Sequence, residues 1–167
     1  MNAMSYILNL IPLKTAYAHC DIPCGVYDPT PAQIAAHTVL RMTQMLEEVS
    51  ASSKEPPFDE RKRIISQIAR LTKVKEEHGR LAEEELGTLD NDYFKPEHHK
   101  EFPELKELIS NAVKLSIKTR QEIDTEAAQK LLETTQKIAE IFYKTKDFEP
   151  VRIPSGYPTE GEIVSHK

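Results

Sequence analysis

His19, Cys20 and Cys24 stand close together in a chain that holds no other cysteine. Directly before them lies Ala16-Tyr17-Ala18, a small-residue pattern of the kind at which leaders are cut. If residues 1–18 are removed, His19 becomes the first residue and its α-amine becomes a free donor. The backbone amide nitrogen of Cys20 closes one chelate ring with that amine, and the Cys20 thiolate closes a second with the same amide. Cys24 returns through the Asp21-Ile22-Pro23 turn as the fourth donor, which leaves the His19 imidazole to reach an axial position. A planar set of two nitrogens and two thiolates disfavours zinc, whose thiolate sites are tetrahedral, and suits nickel(II) or copper(II). A deprotonated amide and two thiolates donate strongly enough to bring the Ni(III)/Ni(II) couple into a biological range. The competing readings are a Cys20–Cys24 disulfide in an exported helical interaction protein, two inert thiols, or a nickel or copper carrier without turnover.

The segment that would hold this hook is a loop, because Pro23, Gly25 and Pro29 interrupt residues 19–29. Beyond it, helical periodicity predicts an all-α fold, a four-helix bundle over residues 30–146. Helix one starts near Pro31 with Thr30 as N-cap and carries Ile34, Thr38, Met42, Met45, Leu46 and Val49. Helix two starts after Asp59, carries Ile64, Ile65, Ile68, Leu71, Val74, His78, Leu81 and Leu86, and stops at Gly87. A long connection leads to helix three, which begins near Pro103 and carries Leu105, Leu108, Ile109, Ala112, Val113 and Ser116. Asp124 or Thr125 caps helix four, whose stripe is Ala128, Leu131, Leu132, Thr135, Ile138, Ala139 and Phe142. Residues 147–167 show no periodicity and read as an irregular tail.

The bulk properties narrow the function. The chain has 167 residues and a net charge of −5, without a basic, aromatic-interleaved stripe for nucleic acid. No apolar run approaches the roughly 18 residues of a membrane span. Residues 1–18 are uncharged up to Lys14, so the leader lacks a basic start. That favours processing in the cytoplasm by a dedicated protease over export, which the Ala-Tyr-Ala triplet keeps as the alternative.

His19 to Pro29, "HCDIPCGVYDP", resembles the metal hook of the nickel-containing superoxide dismutases. "DYFKP" (Asp92 to Pro96), "FPEL" (Phe102 to Leu105) and the helix ending "IAEIFYKTK" are similar to further segments of that family, so the likeness spans about residues 19–146. The resemblance implies a four-helix bundle made as a precursor with a short leader, one nickel ion per subunit and assembly as a homohexamer. It implies the reaction of two superoxide ions and two protons to dioxygen and hydrogen peroxide, with nickel cycling between Ni(III) and Ni(II). His19, Cys20 and Cys24 match the ligands. Tyr27 and Tyr93 match the tyrosines that stand beside the site, backbone N–H groups at Asp21 and Cys24 face the substrate, and Pro23 matches the hook proline. Lys95 is the matched candidate for a steering charge, since a local positive funnel can attract an anion against an acidic whole.

The sequence also departs from the family. An ungapped match places Ala35 and His78 where members carry a glutamate and an arginine that brace the axial imidazole, leaving His78 a candidate outer support. The 54–70 stretch is longer than in relatives, and the tail after Phe148 has no counterpart. Other candidates read as structural: Glu97, His98 and His99 as a solvated loop, His37 as structural or surface, Met42 and Met45 as core fillers, and Glu83 to Glu85 as a solvated helix face. A di-iron bundle site is excluded, because it uses Glu-x-x-His and the sequence has none.

Overall fold

The structure, a computed structural model, describes residues 25–167. Its elements are α1 (Thr30–Glu47), α2 (Phe58–Thr88), a π-helical turn (Leu89–Tyr93), α3 (Pro96–Glu101), α4 (Leu105–Gln121), α5 (Thr125–Lys144), and the strands β1 (Pro150–Pro154) and β2 (Glu162–His166). The four long helices form the expected bundle, α1 against α2 and α5, and α4 against α2 and α5. The core is made of Ala36, Leu40, Leu86, Leu105, Leu131, Ile138 and Phe142 among others, each at most 1% exposed. Every residue of the expected α5 stripe is buried. Asp124 caps that helix by accepting from the Ala127 N–H at 2.8 Å, the bond an N-terminal orphan donor needs.

Several boundaries differ from the sequence reading, each for a local reason. Thr30 is already helical; Pro29 occupies the capping position and Asp28 Oδ1 accepts the Thr30 N–H at 2.7 Å. Pro57, not Asp59, precedes α2; Asp59 sits in the first turn, where it suits the helix dipole and meets Lys62 at 2.8 Å. Gly87 does not end α2. The helix continues one residue and widens into the π turn, with Asn91 Nδ2 donating to the Gly87 carbonyl at 2.7 Å. The long connection contains α3, so the third long helix starts only at Leu105.

The first half of α2 is not core. Ile65 is 66% and Ile68 39% exposed, and Phe58 is 66% exposed. The buried positions begin at Leu71 and continue through Lys75, Gly79, Ala82 and Leu86, because α4 runs beside only the second half. Gly79 sits at that crossing: a Cβ there would lie 2.6 Å from Arg120 Cγ. Ser116 Oγ donates to the Gly79 carbonyl at 2.6 Å, and Arg120 meets Glu83 at 3.0 Å. Glu83 is therefore an ion-pair partner and not part of a purely solvated face. Lys75 is 1% exposed, and its ammonium donates to the carbonyls of Thr119 and Glu122 at the end of α4. A cation on those orphan carbonyls complements the negative end of the helix, while burial pushes the amine below the ordinary lysine range.

The tail is a β-hairpin, not an irregular segment. β1 and β2 pair antiparallel, with Pro150 opposite His166 and Pro154 opposite Glu162. The hairpin lies on α1 and α5 through buried polar side chains. Gln33 donates from Nε2 to the Val164 carbonyl at 3.0 Å and accepts the Val164 N–H at 2.8 Å. His37 is structural, 3% exposed. Its Nε2–H donates to the Glu162 carbonyl at 3.1 Å, leaving Nδ1 to accept the Thr159 hydroxyl at 2.8 Å. Gln136 Nε2 donates to the same Glu162 carbonyl at 2.6 Å, and Arg152 meets Glu140 at 2.7 Å.

Lys75→Met fills the volume but removes both donors, and should lower unfolding free energy in urea by about 2 kcal/mol. For His37, burial holds the imidazole below its ordinary range, against the pull of the Glu162 bond. The folded state then binds fewer protons than the unfolded chain. Stability should be full above about pH 6.5 and fall as pH drops through the depressed folded value. Urea unfolding at pH 7.5 and pH 5 should show that loss, and His37→Gln should flatten it.

Candidate metal centre

The hook residues His19, Cys20, Asp21, Pro23 and Cys24 lie outside the described residues, as does the leader. Gly25, the residue after Cys24, has a φ of +88°, easily reached only by glycine. From there Val26 and Tyr27 lead into α1.

Tyr27 packs against Tyr93, ring centroids 5.7 Å apart and planes tilted by 53°. Tyr93 is brought there by the π turn, which swings it off the α2 axis and onto Phe142 of α5 at 4.5 Å. The Tyr93 hydroxyl lies 2.8 Å from Thr145 Oγ1. Thr145 itself donates to the Phe142 carbonyl at 2.7 Å, so its single proton is committed and Tyr93 must be the donor. Burial raises the Tyr93 phenol above its ordinary range, and a bond donated by the phenol favours its protonated form; Tyr93 is a neutral phenol at physiological pH.

The end of α5 completes the cluster. The Phe148 N–H bonds the Tyr143 carbonyl at 3.0 Å, the Asp147 N–H bonds the Lys144 carbonyl at 3.0 Å, and Asp147 takes a φ of +59°. This is a Schellman cap, and it fixes Thr145 and Lys146 in place. Lys146 Nζ lies 4.5 Å from the Phe142 ring centroid and 5.5 Å from that of Tyr93, and donates to the Tyr27 carbonyl at 3.4 Å. A cation over two aromatic faces is held by their quadrupoles, and here it adds positive potential beside both tyrosines. Sequence reading did not single out Lys146 or Thr145. Both lie in the matched "IAEIFYKTK" segment, which was the available signal.

The other candidates fall elsewhere. Lys95 is exposed at the start of α3, where its backbone N–H donates to His98 Nδ1 at 3.2 Å. His98 and His99 are not solvated loop residues. His98 stacks on Tyr93 at 5.6 Å, and His99 packs on Phe94 at 6.4 Å and meets Asp90 at 3.9 Å. No cluster of three or more His, Cys, Asp or Glu occurs among the described residues. Ala35 is fully buried. His78 is half-buried on α2 and its Nδ1–H donates to the Val74 carbonyl at 3.0 Å, one turn back in its own helix. Met42 and Met45 are half-buried and line a groove between α1 and α2.

Comparison with known proteins accounts for this arrangement. A family model described as nickel-containing superoxide dismutase matches residues 14–146. The nickel superoxide dismutase of Streptomyces coelicolor is 36% identical over 135 residues, covering 81% of this chain and 93% of the relative. That of Streptomyces seoulensis is 37% identical over 135 residues with the same coverage. The native 1.30 Å structure of a nickel superoxide dismutase superposes with a TM-score of 0.64 at 32% identity, covering 77% of this chain and 99% of that one. No helix among the described residues is long and apolar enough to cross a membrane. The helical fold, the pairing of Tyr27 with Tyr93 and these likenesses agree: the chain belongs to the nickel-containing superoxide dismutases, oxidoreductases that act on superoxide with a nickel cofactor.

Proposed function

We propose that nickel is held at the N-terminus of the mature chain by His19, Cys20 and Cys24, and that removal of residues 1–18 creates the site. The donor chemistry fits the metal. An α-amine, a backbone amide and two thiolates would form a strong-field set that suits nickel(II) better than zinc. When bound, the metal supplies one-electron exchange with superoxide through its Ni(III)/Ni(II) couple. The observation that supports this reading is that Tyr27, three residues after Cys24 in sequence, packs on Tyr93 with ring centroids 5.7 Å apart.

The protein groups have separate tasks in this reading. Tyr27 and Tyr93 wall the open side of the hook and limit entry to a small anion. Tyr93 spends its proton on Thr145 and so meets the substrate with oxygen lone pairs and ring edge, as a positioning wall and not as the proton source. The N–H groups of Asp21 and Cys24 bind the anion. Protons come from water admitted past the tyrosines. Lys146 sets the local positive potential, with exposed Lys95 as an outer steering charge. His78, with Nδ1 committed to Val74, is left to act on the hook only through Nε2. The working protein is a cytoplasmic homohexamer matured by a dedicated protease.

The decisive comparison is between a nickel-loaded chain beginning at His19 and one that retains Ala18. Fast dismutation by the first alone is expected; equal rates in both would overturn the α-amine as a ligand. In the active form, Lys146→Gln should lower the second-order rate constant at low salt by about threefold or more, with nickel content unchanged. Lys95→Glu should lower the same constant less, and added salt should narrow both differences. Rates that ignore both substitutions would remove these lysines from the mechanism.

A further inference from the structure

The charges of α2 are segregated along its length. After an acidic first turn of Asp59 and Glu60, it carries Arg61, Lys62, Arg63, Arg70, Lys73 and the buried Lys75; then come Glu76, Glu77, Glu83, Glu84 and Glu85, with Arg80 among them. The first-turn acids complement the helix dipole, which acts only over the end turns and does not set the order of the charges between them. Within this order, Arg63, Arg70, Glu77 and Glu84 recur at seven-residue intervals and are all exposed. That spacing places them along one narrow stripe of the helix, drifting about 20° per heptad. Arg63, Arg70 and Glu84 make no ion pair among the described residues, and Glu77 meets only Lys73 of its own helix, at 3.7 Å.

The basic half of the stripe borders the groove between α1 and α2. Its volume is about 870 Å³, its floor is Met42, Met45, Leu71 and Val74, and Arg63 and Arg70 stand on its rim. The acidic half borders Leu81, a large apolar side chain left 37% exposed. One helix thus presents an apolar groove with a basic rim at one end and an apolar knob with acidic neighbours at the other.

We propose that this stripe is a two-fold interface between two copies of the chain, with α2 packed antiparallel on α2 of the second copy. A two-fold axis passing between Lys73 and Val74 sets Arg63 opposite Glu84 of the second copy and Arg70 opposite its Glu77, and each pair occurs twice. The same register sets Ser66, at the groove, opposite Leu81. Such a contact is isologous: one patch serves both sides, and complementarity to itself is what the inverted charge order provides. From Arg63 to Glu84 the paired stretch runs about 32 Å. Exposed ion pairs contribute little affinity singly, so the groove supplies the apolar burial and the charges fix direction and register. The alternative alignment, parallel, sets like charges together along the whole stripe. This inference rests on the proposal that the chain self-assembles, and it names one surface through which it does so; it does not depend on the nickel site.

Sedimentation velocity on the full-length chain tests it. Arg63→Glu with Arg70→Glu, and separately Glu77→Arg with Glu84→Arg, should each weaken assembly at least tenfold at 0.1 M salt. A 1:1 mixture of the two variants should restore it, and so should a chain carrying all four reversals, which also serves as the control for folding. Unchanged assembly in either reversal, or no restoration in both the mixture and the fourfold chain, overturns the interface. If assembly ignores the reversals while the wild-type chain is oligomeric, this inference fails and self-assembly stands; a monomeric wild-type chain removes both. Nickel content and dismutation, read on the same samples, report separately on the enzyme.

Discussion

The contact of Tyr93 with Phe142 joins the end of α2 to the end of α5, and the surroundings of the hook depend on it. Two helix ends that would otherwise fray independently are brought together by one ring pair at 4.5 Å. The π turn is what allows this: a regular continuation of α2 would leave Tyr93 on a different side of the helix. Once Tyr93 is seated, Tyr27, His98 and Lys146 all have a surface to pack on. Thr145 completes the arrangement by fixing which way the phenol points. The bundle thus acts mainly as a frame that brings two helix ends and one loop exit to the same place.

This division of labour would let two tyrosines serve the proposed site, whose donors lie elsewhere in the chain. The proposed donors come from a short segment whose chemistry is local: an amine, an amide and two thiols adjacent in sequence. The tyrosines and the lysine come from positions far apart, with Lys146 reaching Tyr27 across 119 residues. The proposed site therefore combines a chelate that sequence alone can specify with a wall that only the fold can build.

What could be read beforehand follows the same line. The proposed donor set rests on the sequence alone, since spacing along the chain is all a chelate needs and His19, Cys20 and Cys24 lie outside the described residues. α5 was legible because every residue of its stripe is buried, so apolar periodicity and burial coincide. They part company in the first half of α2, where Ile65 and Ile68 repeat like core residues but no helix lies over them. Lys75 misled in the opposite sense: a lysine reads as solvent-facing, yet its amine ends on carbonyls that α4 leaves unsatisfied. The hairpin was hidden because its strands are short and β1 begins and ends in proline. Its anchors Gln33, His37 and Gln136 are polar residues that announce solvent and not a buried seam. Thr145 and Lys146 were invisible as site residues because nothing near them in sequence points to Tyr27 or Tyr93.

The seam between the hairpin and α1 has a consequence for the order of folding. Gln33 is bonded at both its amide atoms to Val164, 131 residues away, so the contact closes one of the longest loops in the molecule. Helices and their neighbours form from nearer contacts and form early; pairings this distant in sequence form late, because loop closure must come first. During synthesis α1 emerges long before β2, and its buried amide and imidazole stay exposed to water until the hairpin arrives. The helix that carries the hook is thus among the first to leave the ribosome and among the last to be fully enclosed.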